Sequence, residues 1–206
     1  MKKLTINNKE LLDALTKWSD WFNTYDLKSN VTFEGELDPN EWYTSKEYLE
    51  SIDPHKHNGF GGTHCYGVDL LSYEHTSSDV RKYSRGIDKD LNPILSTNHS
   101  AVKMYYPEGG YMHWHNNHNV SGYNILLTYT KNGQGWFKYR DPKTRQIITM
   151  DDEPGWTAKA GYYGSNVEPD RIYWHCARAY EDRFTLGYII HHEEFWQMMC
   201  DDIEDR

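Results

Sequence analysis

The chain's 206 residues suit one domain with a sizeable buried core. A net charge of −9 argues against nucleic acid or an anionic membrane as partner, because neither phosphate array gains from a negative field. Cys65, Cys176 and Cys200 lie far apart without CxxC spacing, which excludes a disulfide framework or a structural zinc set and favours a reducing cytoplasm.

In chain order, Met1 to Leu15 starts basic and soon turns polar, unlike a signal peptide, and no stretch reaches the roughly 20 apolar residues of a membrane span. Asn7 and Glu10 read as a helix cap with its capping-box partner, followed by Leu11, Leu15, Trp18 and Phe22 at helical spacing to about residue 24. Thr44 and Glu47 repeat that signature before a short helix around Tyr48 and Leu49. Residues 53–100 are loop-rich around Pro54 and Gly61-Gly62, with a strand over 66–71 and a helix near 77–85. Residues 1–100 thus form a helical and loop-rich N-terminal part, expected to shape the entrance of any site.

From residue 101 the pattern changes to short aromatic-rich strands, in a chain with 17 Tyr and 8 Trp. A strand over 101–106 and the turn 107–110 lead into a strand over 111–117, and 123–130 is the clearest strand of all. Residues 135–140 and 146–150 read as a hairpin around Asp141-Pro142-Lys143-Thr144, and further strands are expected at 156–159, 171–176 and 183–190. Such a series indicates a sandwich or barrel over 101–190. The tail, 191–206, holds a helix over 193–203 with Phe195, Met198 and Met199 inward. No repeat or linker divides 1–206, a single domain.

Of eleven histidines, His55 and His57 sit in a Pro/Asn/Gly loop, His64, His75 and His99 are isolated, and His191 and His192 end a strand; solvation is the default for all of these. His113 and His115 differ, because they and Asn117 fall at i, i+2, i+4 in a strand behind a Gly-Gly turn, which puts three metal-capable groups on one face. His175 ends another strand, and Arg183-Phe184-Thr185 puts a forked cation and a hydroxyl on one strand face. Iron suits imidazole and oxygen ligands with open positions opposite, and a 2-oxo acid chelating it needs a cation for its far carboxylate.

The order Tyr106-Pro107-Glu108-Gly109-Gly110, His115-Asn116-Asn117, Asn124 to Thr130, Gly133 to Tyr139, Pro154-Gly155 or Ala160-Gly161, His175 and Arg183-Phe184-Thr185 resembles the core of the 2-oxoglutarate/Fe(II)-dependent oxygenases. The likeness is to the prolyl-hydroxylase-like branch, in particular phage-encoded members with a Trp-His-x-Asn motif. It implies a mainly β fold: a double-stranded β-helix, or jelly roll, of cupin-like type, with N-terminal helices and a C-terminal helix. It further implies Fe(II) as metal, 2-oxoglutarate as cosubstrate, a small-molecule or protein side-chain substrate, and the host cytoplasm as location if the chain is phage-encoded. His115 and His175 would be iron ligands, Arg183 and Thr185 the holders of the distal carboxylate, and Tyr123 a second contact. No catalytic residue beyond the metal ligands is implied.

Asn117 stands where that family has Asp, and a neutral amide binds iron more weakly than a carboxylate. Three readings stay open. Asn117 is a weak third ligand or yields to water; His113 joins His115 and His175 in a three-histidine dioxygenase site of cupin type; or the fold serves as a non-catalytic binding or scaffold module. Trp114, Trp174 and Tyr173 are equally readable as pocket wall and as core.

Overall fold

The computed structural model describes residues 1–53, 64–98 and 100–205. His55, His57 and His99 therefore lie outside the described residues, as do Pro54 and the Gly61-Gly62 pair. In chain order the main elements are β1 (Lys2–Leu4), α1 (Lys9–Thr24), β2 (Glu34–Gly35), α2 (Lys46–Ser51), β3 (Cys65–Asp69) and α3 (Ser78–Ile94). There follow β4 (Ser100–Tyr106), β5 (Tyr111–His115), β6 (Gly122–Thr130), β7 (Gly135–Arg140) and β8 (Ile147–Asp151). The chain then completes β9 (Gly155–Tyr163), β10 (Trp174–Ala179), β11 (Arg183–Ile190) and α4 (Glu193–Glu204).

Strands β4 to β11 wrap between two antiparallel sheets, ordered β9-β6-β11-β4 and β5-β10-β7-β8. This is the eight-stranded jelly roll, or double-stranded β-helix. At one side β3 joins the sheets, pairing Val68 with Tyr105 of β4 and Cys65 with Met112 of β5. β1 extends the first sheet along β9.

The first sheet is buried on both faces, which is why β6 and β11 read as near-continuous runs rather than alternating ones. Ile125, Leu127, Phe184, Leu186 and Tyr188 point outward under Leu11, Leu15 and Trp18 of α1, Val80, Ile87 and Leu91 of α3, and Met199 and Ile203 of α4. The alternate residues, among them Leu126, Thr185 and Gly187, point between the sheets. On the outer face of the second sheet, Trp114, Trp136 and Trp174 pack with Cys176 and with Leu49 of α2. Trp114 and Trp174 are thus core outside the barrel, not pocket wall, whereas Tyr173 packs inside it with Tyr139 and Tyr163.

Several helix details differ from expectation. The α1 cap is Asn8, whose Oδ1 accepts from the Leu11 amide at 2.9 Å; Asn7 instead donates to the Glu204 carbonyl. Ser45, not Thr44, caps α2. Helix α3 continues past residue 85 to Ile94 because Val80, Ser84, Ile87 and Leu91 hold a buried stripe at helical period across a charged stretch. In α4 the inward face is Met199, Cys200 and Ile203, while Phe195 and Met198 are 58% and 65% exposed. Among the described residues no helix is long and apolar enough to cross a membrane.

Candidate metal and acid-binding site

A cavity of about 400 Å³ opens between the sheets, lined by His115, Asn117 and His175 and, on the facing sheet, by Arg183, Thr185 and Gly187. Asn124, Leu126, Phe137 and Tyr163 contribute walls, and among the described residues no lining residue precedes Ala101. Residues 1–98, where described, supply the cover of the two outer faces rather than the entrance.

The approach to β5 depends on the Pro-x-Gly-Gly turn. Gly109 has φ +78°, a conformation that L side chains avoid, and a Cβ at Gly110 would stand 2.7 Å from the Pro107 carbonyl oxygen and 2.9 Å from that of Tyr66. β5 itself carries a bulge: His175 pairs with His115, but Ala177 pairs with Met112, so β5 spends one residue more than β10 over this interval. That extra residue shifts the alternation. His115 and Met112 line the cavity, and His113 does not. The Nδ1 of His113 instead lies 3.4 Å from the Tyr48 hydroxyl, with the His64 ring 5.6 Å away, although the His113 and His115 ring centroids remain 5.7 Å apart.

His115 and His175 face each other across adjacent strands with ring centroids 4.1 Å apart. His115 Nδ1 lies 2.8 Å from the His113 carbonyl oxygen, and His175 Nδ1 lies 3.1 Å from that of Tyr173. A carbonyl oxygen only accepts, so each Nδ1 carries the proton, which in a neutral ring makes Nε2 the acceptor. This is the tautomer a metal-ligating histidine needs, fixed by the partner a ligand histidine ordinarily has. Asn117 is half-buried in the cavity wall just beyond β5, while its neighbour Asn116 is fully buried and accepts from the His118 amide to shape the loop. Among the described residues no group of three His, Cys, Asp or Glu side chains is placed to hold a metal ion. The donors present are two imidazoles and an amide.

At the other end, Arg183 is 1% exposed and its Nη1 donates to Thr185 Oγ1 at 2.8 Å. Its Nε donates to Asp152 Oδ2 at 2.8 Å, and Asp152 Oδ1 accepts from Lys159 Nζ at 2.6 Å. Burial pushes the Asp152 carboxyl upward, but Arg183 and Lys159 outweigh it and hold the group below the usual carboxylate range. The ring of Tyr106 lies 5.7 Å from the guanidinium carbon, and burial raises its phenol, keeping it a neutral donor. Tyr106, not Tyr123, is the tyrosine at this end. Tyr123 lies on the opposite face of β6, against Tyr162 and Trp196, and Asn124 takes the cavity-facing position because strand side chains alternate.

Asp152 and Lys159 were not legible as site residues. Asp151-Asp152-Glu153-Pro154 reads as a turn, but Thr157-Ala158-Lys159-Ala160 held a signal: a lysine alternating with two alanines in a strand buried on both faces must find a partner.

No protein-family profile matches the chain, and no curated protein matches it. Solved structures do. A prolyl hydroxylase from Trichoplax adhaerens, in complex with a hypoxia inducible factor oxygen degradation domain peptide fragment, aligns over 93% of this chain and 80% of its own, at 12% identity and a TM-score of 0.42. A prolyl-4-hydroxylase from Pseudomonas putida aligns over 85% of this chain and 98% of its own, at 12% identity and 0.37. A ribosomal oxygenase from Escherichia coli aligns over 94% of this chain and 54% of its own, at 11% identity and 0.36. No residue's role is carried over from them; the chemistry has to come from the cavity itself.

Proposed function

We propose that the chain is an Fe(II)- and 2-oxoglutarate-dependent oxygenase of hydroxylase type. One observation carries this reading: a single cavity is lined by two imidazoles on one sheet, each with its Nδ1 against a backbone carbonyl, and by a buried guanidinium on the facing sheet. His115 and His175 would hold the metal, with Asn117 or water beside them. Arg183 and Thr185, joined by Tyr106, would hold the distal carboxylate of the acid.

The donor set fits a divalent iron with one qualification of charge. Two imidazoles and an amide are neutral, so compensation has to come from the acid's own chelating carboxylate. Held by His115 and His175, a divalent iron would supply the reductive activation of O2 that is coupled to decarboxylation of 2-oxoglutarate. The protein would orient the acid between the sheets and hold the histidine Nδ1 protons on backbone carbonyls, with the apolar rings of Phe137 and Tyr163 packed against His175. Towards the open side, Ala101, Val102, Asn119, Val120 and Ile189 carry no formal charge, which favours a neutral or apolar substrate group over nucleic acid.

The three-histidine alternative loses its geometric support, because the bulge takes His113 off the cavity wall. The test is spectroscopic. Anaerobic protein with Fe(II) and 2-oxoglutarate is expected to show a weak visible metal-to-ligand charge-transfer band, lost in Arg183→Ala. No band at saturating iron and acid would leave the non-catalytic binding module as the better reading.

A further inference from the structure

We propose that Lys159 and Asp152 are positioning residues that set the charge of the acid-binding end to a net +1, matching it to a single carboxylate. This rests on the reading of the cavity as a 2-oxo acid site.

Were Arg183 paired with Asp152 alone, the two charges would cancel and leave no field to draw in an anion. Lys159 changes that. It is 1% exposed, reaches Asp152 at 2.6 Å on the oxygen that Arg183 does not use, and brings the buried trio to one net positive charge. A net charge away from water is costly until an opposite charge arrives. A monoanion closes the balance, whereas a dianion such as a phosphate or phosphonate leaves an uncompensated negative charge. Asp152 also occupies the Nε edge of the guanidinium and Thr185 one proton of Nη1, so among the described residues Nη2 and the second Nη1 proton remain to meet a ligand.

The hydroxyls around this point agree. Thr185 Oγ1 already accepts from Arg183, so its own proton is available to donate. Thr128, its cross-strand neighbour on β6, is 1% exposed, and its hydroxyl has no hydrogen-bond partner among the described residues.

The experiment is calorimetric titration of 2-oxoglutarate into the Mn(II)-loaded protein, which needs no turnover. Lys159→Met reduces the cluster to zero charge and is expected to weaken binding about 10- to 100-fold. The double variant Asp152→Asn/Lys159→Met returns it to +1 and is expected to restore the affinity, an outcome that a merely structural role would not produce. Binding by Lys159→Met equal to wild type, or a double variant no better than the single, overturns the proposal. The unaltered protein gives a second measure: in near-neutral buffer, 2-oxoglutarate should outbind its phosphonate analogue, 2-oxo-4-phosphonobutanoate, whose terminal group carries up to two negative charges, and equal affinities would overturn the charge argument. Should the unaltered protein bind no 2-oxoglutarate, the oxygenase reading falls with this one; normal binding with an indifferent Lys159→Met sinks only the role of the pair.

Discussion

If the cavity holds iron, the residue at 117 decides how the site assembles. An amide oxygen brings a lone pair but no charge, so a divalent metal should bind weakly until an acid completes its shell. Metal and 2-oxoglutarate are then expected to bind cooperatively, each tightening the other by the same factor. Asn117→Asp should tighten Mn(II) binding when no acid is present and reduce that cooperativity, as read by calorimetry with and without 2-oxoglutarate. Equal cooperativity in both proteins would remove Asn117 from the metal's surroundings. Asp152 makes a prediction of a different kind. Its carboxyl is held below the ordinary range, so its stabilising effect is present above the unfolded value of about 3.9 and disappears as pH falls through the lower folded value. Urea unfolding should show Asp152→Asn well below wild type at neutral pH, with the gap closing below about pH 4. A gap independent of pH would mean that Asp152 is not an ionised partner. That His115, His175 and Arg183 line one cavity was legible because their residue types are rare on an inward strand face. Asp152 was not, since it lies outside any strand and acts through a partner distant in sequence.

Elements were legible where a turn or a period marked them. The hairpin of β7 and β8 turns at Asp141, whose Oδ1 accepts from the Lys143 and Thr144 amides, the local bonding expected of Asp in a turn. The Gly109-Gly110 pair is equally legible and equally demanding. Gly110→Ala would push a methyl against two backbone oxygens, so a loss of about 1–3 kcal/mol is expected in denaturant unfolding. Since β5 is anchored at that turn, metal affinity should fall with it; a variant of unchanged stability would show that the turn can relax. The β5 bulge was invisible. The periodicity of Tyr111 to Asn117 is that of a regular strand, and only pairing with β10 reveals the extra residue. His113 therefore looked like a ligand and lies beside Tyr48. In α4 apolarity points Phe195 and Met198 inward along with Met199, whereas the buried face, Met199, Cys200 and Ile203, is set by where β1, β6 and β11 run.

On the scale of the whole molecule, the described residues before Ser100 cover the sheets' outer faces. Leu11, Leu15 and Trp18 close the outer face of the first sheet, Trp156 donates to the Leu15 carbonyl from β9, and the Lys103–Asp88 ion pair joins β4 to α3. Leu15, fully buried, is expected to cost about 2–5 kcal/mol as Leu15→Ala, measured by urea unfolding. A cost under about 1 kcal/mol would mean that α1 is not integral to the core.

The cavity's two ends belong to different sheets. His115 and His175 stand on the β5–β10 pair, and Arg183 and Thr185 on β11, with hydrogen bonding between the sheets concentrated along β3 at one side. A metal alone therefore ties together neighbours that already share a ladder. An acid gripped at both ends is a brace across the gap, and it stiffens the barrel where no strand does. Amide hydrogen exchange should accordingly slow in β6 and β10 together when metal and acid are both present, and in β10 alone when only metal is.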